Sequence, residues 1–159
     1  MARKVKAGKF KYTLETVLKV RGIREKKEQE KFAEKKREYL KEKDEENKLR
    51  TEKKSEEETI RKVFRKGPIS DFEKVMRRHA HIGILKEDIE NQVEKVIEAS
   101  KVLEDQREHL ISAMKDKKII EKDKEHTLKK YHKLMQDLEL KFLDEIATQR
   151  YTREHKEEE

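Results

Sequence analysis

The strongest constraint on how this chain folds is a single break, Gly67-Pro68, in a sequence that otherwise has the character of long, charged helix. Pro68 is the only proline, and proline lacks an N–H and clashes with the preceding helical turn. Gly67 can adopt the left-handed conformation that ends helices, and Ser70 with Glu73 three residues later has the spacing of a capping box, which begins one. The break therefore predicts two helices joined by a short turn.

Composition favours elongated helices over a globular domain. Of the 159 residues, 50% are charged and only 32% are hydrophobic, which is too little apolar material for a globular core. Disordered chains are usually rich in proline and glycine, but this chain has one proline and four glycines, and its hydrophobic residues are regularly spaced. We therefore expect an all-α fold in which two long helices form an antiparallel coiled-coil hairpin.

The turn divides the sequence into five predicted segments. They are a basic flexible arm (1–12), the first helix (13–66), the turn (67–70), the second helix (71–153) and a charged tail (154–159). Thr13 is the expected N-cap of the first helix. Because the second helix is the longer one, we expect it to extend beyond the first from about residue 126, over roughly 40 Å.

Hydrophobic residues recur in both helices in alternating steps of three and four, which indicates left-handed coiled-coil pairing. The positions of these two series are called seam positions below. On the first helix the series runs from Leu14 to Val63, and seven of its fifteen positions are apolar. On the second it runs from Val75 to Glu145, and thirteen of twenty-one are apolar. Residues 1–69 carry a net charge of +10 and residues 70–159 a net charge of −3, which favours pairing within the chain.

The projecting end of the second helix is rich in hydrophobic residues. They are Leu128, Tyr131, Leu134, Met135, Leu138, Leu140, Phe142, Leu143 and Ile146. An exposed apolar helical surface of this kind is typical of a protein-binding site. Two interpretations stay open: this end docks onto a partner protein, or it packs against Leu14 and Leu18 if the first helix bends.

No catalytic or metal-binding pattern occurs in the sequence. It has no cysteine and no glycine-rich phosphate loop, and its six histidines form neither an i,i+4 pair nor an H-E-x-x-H motif. Two helices also cannot enclose a pocket that excludes water. We expect no enzyme activity and no cofactor. Nucleic-acid binding is disfavoured because acidic residues are mixed with the basic ones, so the basic arm is interpreted as a tail or as a contact to an acidic protein or an anionic membrane surface.

The two ends of the sequence resemble one protein family. The opening segment, Phe10 to Arg21, reads FKYTLETVLKVR, and the closing segment, Leu138 to Arg150, reads LELKFLDEIATQR. Both are similar to the ends of the flagellar export protein FliJ, whose closing segment follows the pattern E-x-K-x-L-D-E-I-A-x-x-R. The resemblance covers nearly the whole chain, and its specific motifs are at the two ends.

This resemblance implies a cytoplasmic component of the flagellar type III protein export apparatus, located peripherally at the inner face of the cell membrane through its partners. It implies a coiled-coil stalk or adaptor that inserts into the hexameric flagellar export ATPase and promotes its assembly and activity. It further implies links to the membrane export gate protein and to export chaperones.

The resemblance also implies site residues. The candidate contacts with the ATPase ring are Leu14, Leu18, Leu138, Phe142, Leu143, Ile146 and Arg150. The candidate contacts with the export gate are Leu85, Ile89 and Gln92, and His81 stands where the family has an aromatic residue one turn before Leu85.

Two other classes remain compatible with the sequence. One is a generic coiled-coil dimerisation or scaffold protein, in which the apolar stripe is the dimer seam. The other is a prefoldin-like chaperone, although Lys66–Asp71 is short for the β-hairpin that prefoldins carry between their helices. Sedimentation separates the first class from the stalk, because the stalk is expected to be mostly monomeric.

Overall fold

The computed structural model of the protein describes residues 9–68 and 71–154, and nearly all of them are helical. Helix α1 spans Glu15–Arg65 (51 residues) and helix α2 spans Phe72–Glu154 (83 residues). Within the described ranges there is no β-strand. The two helices contact each other extensively, so the predicted all-α antiparallel hairpin is confirmed.

The turn between the helices lies at Gly67-Pro68, as predicted. Gly67 has a φ of 108°, a left-handed conformation that glycine adopts without a steric penalty. The carboxylate of Asp71 accepts a hydrogen bond from the N–H of Lys74 at 3.0 Å, so Asp71 is the N-cap of α2. Ser70, the capping residue predicted from the sequence, lies outside the described residues.

Helix α1 begins at Glu15, whose N–H donates to the carbonyl oxygen of Tyr12 at 3.4 Å. This start is within two residues of the one expected from Thr13 as N-cap, which is the usual variation in helix ends. Residues 1–8 of the predicted arm and residues 155–159 of the predicted tail lie outside the described residues.

The residues buried between the helices are those at the seam positions that the hydrophobic period predicts. On α2, every seam position from Val75 to Tyr131 is buried or half-buried. On α1 the same holds from Leu18 to Val63, even where the residue is Lys, Arg or Glu. The most buried hydrophobic residues are Tyr12, Val75, Ile82, Leu85, Val96, Ala113 and Ile120, each at most 9% exposed. A narrow seam therefore holds the helices together.

Contacts along the hairpin group into two units. The turn unit, Glu25–Ala113, contains the turn and the adjoining parts of both helices. The terminal unit contains the chain up to Arg24 together with the chain from Met114 onward. The two units use different side chains to join α1 to α2.

In the turn unit, three of the polar pairs that join the helices recur at regular intervals. Gln106 Nε2 donates to Glu28 at 2.6 Å, Gln92 Nε2 donates to Glu42 at 2.6 Å, and Arg78 Nη1 donates to Glu56 at 2.7 Å. Successive pairs are 14 residues apart on both helices, and in each pair the two residue numbers add up to 134. Fourteen residues make two heptads, so these cross-helix pairs share one register of the coiled coil.

A buried carboxylate also lies on the α1 seam in the turn unit. Glu46 is 4% exposed, and its oxygens accept hydrogen bonds from Lys43 Nζ at 2.8 Å and Arg50 Nε at 2.7 Å. The hydrogen bond from Lys43, followed by that from Arg50, lowers the pKa of Glu46. A lowered pKa stabilises the fold above the carboxyl's unfolded pKa, and that contribution is lost as the pH falls through the folded one.

In the terminal unit, Tyr12 anchors the residues before α1 onto α2. Its hydroxyl donates to Asp123 Oδ2 at 2.7 Å and lies 3.4 Å from the carbonyl oxygen of Ile120. Burial of the ring and this hydrogen bond raise the pKa of Tyr12 to about 12. Because the folded pKa lies above the unfolded one, the neutral hydroxyl stabilises the fold below pH 10, and its contribution is lost as the pH rises towards about 12.

Candidate protein-binding site

The last part of α2 carries a hydrophobic stripe. Leu138, Phe142 and Ile146 are four residues apart, so they lie on neighbouring turns of one helix face. Leu143 lies beside them and Arg150 follows one turn later. Neither glycine nor proline occurs in this part of α2, which favours an uninterrupted helix. These five residues are called the C-terminal face below.

The C-terminal face is partly accessible to solvent. Leu138 is 40% exposed and Leu143 is 58% exposed, whereas Phe142 and Ile146 are half-buried. Charged residues surround the stripe, among them Lys141, Asp144 and Glu145. A hydrophobic centre with a charged rim is the usual composition of a protein–protein contact surface.

Within the described part of the terminal unit, the segment that precedes α1 reaches only as far as Tyr131 and Leu134. The ring of Phe10 lies 5.4 Å from the ring of Tyr131, and Lys9, Phe10 and Lys11 line a groove that ends at Leu134. The next seam positions are exposed, with Leu134 at 57% and Leu138 at 40%. Among the described residues, α1 does not fold over the C-terminal face, and docking of a partner protein onto this face stays a prediction.

The other two candidate ring contacts, Leu14 and Leu18, lie elsewhere in the terminal unit. Leu14 is 38% exposed and Leu18 is half-buried. Their neighbour Glu15 accepts a hydrogen bond from Lys124 Nζ at 2.6 Å, which places this level of α1 beside Lys124. Lys124 precedes Leu138 by fourteen residues, or about 20 Å of helix. The structure therefore does not bring Leu14 and Leu18 next to the C-terminal face.

The candidate gate contacts lie at the seam of the turn unit. Leu85 is 3% exposed, Ile89 is half-buried and Gln92 is 7% exposed. Besides its bond to the carboxylate of Glu42, Gln92 Nε2 donates to the backbone carbonyl of Glu42 at 3.0 Å. A partner can contact Leu85 and Gln92 directly only if α1 moves away at this level. The assignment of these residues to the gate stays a prediction.

The described residues carry little that points to catalysis. One surface depression along the hairpin is lined mainly by lysine, arginine and glutamate side chains, among them Lys53, Glu57 and Lys86. No group of three or more His, Asp or Glu side chains among residues 9–68 and 71–154 is arranged to hold a metal ion. No described helix is long and apolar enough to cross a membrane.

Sequence reasoning missed two features of the structure. The first is the set of cross-helix pairs, for which the signal was the 14-residue spacing of Glu28, Glu42 and Glu56 at seam positions. The second is an exposed hydrophobic patch near the start of α1, where Val20 and Ile23 are 59% and 57% exposed. The sequence indicated this patch only by placing the hydrophobic residues Val20 and Ile23 outside the seam positions.

Fold and site together define a two-helix coiled-coil hairpin whose accessible hydrophobic surface is suited to binding another protein. The family model described as flagellar FliJ protein matches residues 10–156. The match covers most of the 159 residues, so this chain belongs to the FliJ family and is a flagellar export-related protein. No curated protein and no solved structure shows a significant match to the chain.

Proposed function

We propose that this protein is a stalk and adaptor of the flagellar export apparatus that binds the hexameric export ATPase through the C-terminal face. The observation that carries the proposal is the hydrophobic stripe of Leu138, Phe142 and Ile146, which lies further along α2 than the contact between Phe10 and Tyr131. Family membership provides the context, because export components are the partners that such a surface would meet. Leu14 and Leu18 form a second, separate contact region.

A single hairpin bound within a ring of six ATPase subunits is an asymmetric ligand, because the subunits are equivalent and the hairpin is not. One helical surface cannot contact six equivalent subunits in the same way, so it stabilises different states in different subunits. A partner that binds only the assembled ring also favours assembly by mass action. Binding by the C-terminal face would thus promote both ring formation and ATPase activity.

Family membership suggests two further partners. We propose that the export gate protein binds early in α2, with Leu85, Ile89 and Gln92 as the candidate residues, and that export chaperones bind the same protein. These contacts would hold it in the cytoplasm at the inner face of the membrane.

Binding of purified wild-type chain and variants to the cognate export ATPase tests the ring contact. Phe142→Asp combined with Ile146→Asp should weaken binding at least about 100-fold, because two apolar side chains leave the interface and two charges enter it. The same double variant should lose stimulation of ATP hydrolysis. Affinity is measured by titration, and helix content by circular dichroism.

The matched control is Thr148→Asp combined with Thr152→Asp. These exposed residues lie on the side of α2 away from Leu143, Ile146 and Arg150, and the change in charge is identical. The control should bind almost as tightly as the wild type. Equal loss in both double variants, or no loss in either, would overturn the proposed face. If the wild-type chain sediments as a stable dimer and does not bind the ATPase, the result would favour a generic coiled-coil dimerisation protein.

A further inference from the structure

The positive charge of this protein is concentrated in the terminal unit. Its described residues include 16 Lys or Arg and 10 Asp or Glu, whereas the turn unit has 23 of each. The turn unit is therefore neutral overall, and the terminal unit is basic. An anionic partner would be attracted to the terminal unit in particular.

Part of this charge lies on an exposed face near the start of α1. Val20 and Ile23 are 59% and 57% exposed, and Thr16, Lys19 and Arg24 are exposed beside them. The spacing of Thr16, Val20 and Ile23 places them on successive turns, on the side of α1 away from the seam positions. These five residues are called the outer N-terminal face below.

Carboxylates are absent from the outer N-terminal face. The only acidic residue between Lys9 and Arg24 is Glu15, and it is paired with Lys124 across the seam at 2.6 Å. Lys9 and Lys11, just before the helix, are exposed and add further positive charge. The face therefore combines two branched aliphatic side chains with lysine and arginine and no opposing charge.

This combination fits the surface of an anionic lipid bilayer. Helices that lie in the bilayer interface insert aliphatic side chains at the level of the headgroups, while lysine and arginine attract anionic lipids. A nucleic-acid backbone would use the cations but offers nothing to two aliphatic side chains that are more than half exposed. The positive charge of this face and its exposed aliphatic side chains therefore both fit an anionic lipid bilayer.

We propose that the outer N-terminal face binds anionic membrane surfaces directly. This contact is independent of the ATPase and gate contacts proposed above, because it uses a different face and needs no partner protein. Most of the attraction is electrostatic, so binding should weaken strongly as the salt concentration rises. The protein would then reach the inner membrane surface by its own affinity for lipid.

Vesicle co-sedimentation with the full chain alone tests this proposal. The wild type should bind vesicles of phosphatidylcholine with about 30% phosphatidylglycerol and should not bind phosphatidylcholine alone. Lys19→Glu combined with Arg24→Glu should lower the partition coefficient by about 30-fold or more. Val20→Ser combined with Ile23→Ser should lower it by about 5-fold or more without changing the charge.

The charge control is Lys36→Glu combined with Lys54→Glu, which changes the net charge equally at exposed positions of the turn unit. This control should bind vesicles like the wild type. The proposal is overturned if the wild type does not bind the anionic vesicles, or if both charge variants lose binding equally. It is also overturned if a duplex DNA probe, and not the vesicles, shows dependence on Lys19 and Arg24. ATPase binding is measured separately, so failure here leaves the ring proposal standing.

Discussion

Replacing Leu85 by Asp should destabilise the hairpin by about 3–5 kcal/mol, a large part of the stability of a protein of this size. Leu85 is 3% exposed, and with Ala113 it is the most completely buried hydrophobic residue named along the seam. The substitution removes a large apolar side chain and places a carboxylate in a narrow apolar contact. Urea unfolding followed by circular dichroism measures the loss.

The neighbouring residue supplies a matched control for this substitution. Ile84 is 57% exposed, so Ile84→Asp introduces the same carboxylate one position away on the solvent side. We expect it to change the free energy of unfolding by no more than about 0.5 kcal/mol. Equal losses at positions 84 and 85 would mean that α2 does not use the predicted seam to pair with α1.

The second large effect concerns the register that the cross-helix pairs define. Gln92→Glu would place two carboxylates together where Gln92 now donates to Glu42, and this should cost roughly 1–3 kcal/mol. Adding Glu42→Gln exchanges the donor and acceptor between the helices and should restore most of the stability. Double-mutant-cycle analysis of urea unfolding measures the coupling between the two positions.

A mispaired exchange provides the control for register. Gln92→Glu combined with Glu28→Gln has the same composition as the correct exchange, but Glu28 pairs with Gln106 and not with position 92. This variant should stay as unstable as Gln92→Glu alone or become less stable. Restoration by the mispaired exchange would refute the register in which paired residue numbers add up to 134.

The hairpin itself was predictable because its determinants are local. Gly67-Pro68 marks the turn, and the heptad series specifies which residues of each helix face the other. Even the charged seam positions of α1 were correctly placed, since a helix carries every residue of the series to the same side whatever its chemistry. Helix ends were less certain, because Asp71, next to the predicted Ser70, can also cap α2.

The 14-residue spacing marked Glu28, Glu42 and Glu56, but the sequence did not predict which residues of α2 they meet. Glu42 meets Gln92 only because the geometry of the turn sets how far one helix is shifted along the other. The same limit affected the candidate site. The sequence grouped Leu14 and Leu18 with the C-terminal face. In the structure, the hydrogen bond between Glu15 and Lys124 places this part of α1 beside Lys124, and Lys124 lies about 20 Å before Leu138 along α2.

Site-specific photo-crosslinking to the assembled export ATPase is the most direct test of the central claim. A photoreactive phenylalanine analogue is placed at Phe142, and for comparison at Thr148, an exposed position on the side of α2 away from Leu143, Ile146 and Arg150. We expect a strong crosslink to the ATPase from position 142 and little or none from position 148. Crosslinks of equal yield from both positions, or from position 148 alone, would contradict the proposed contact.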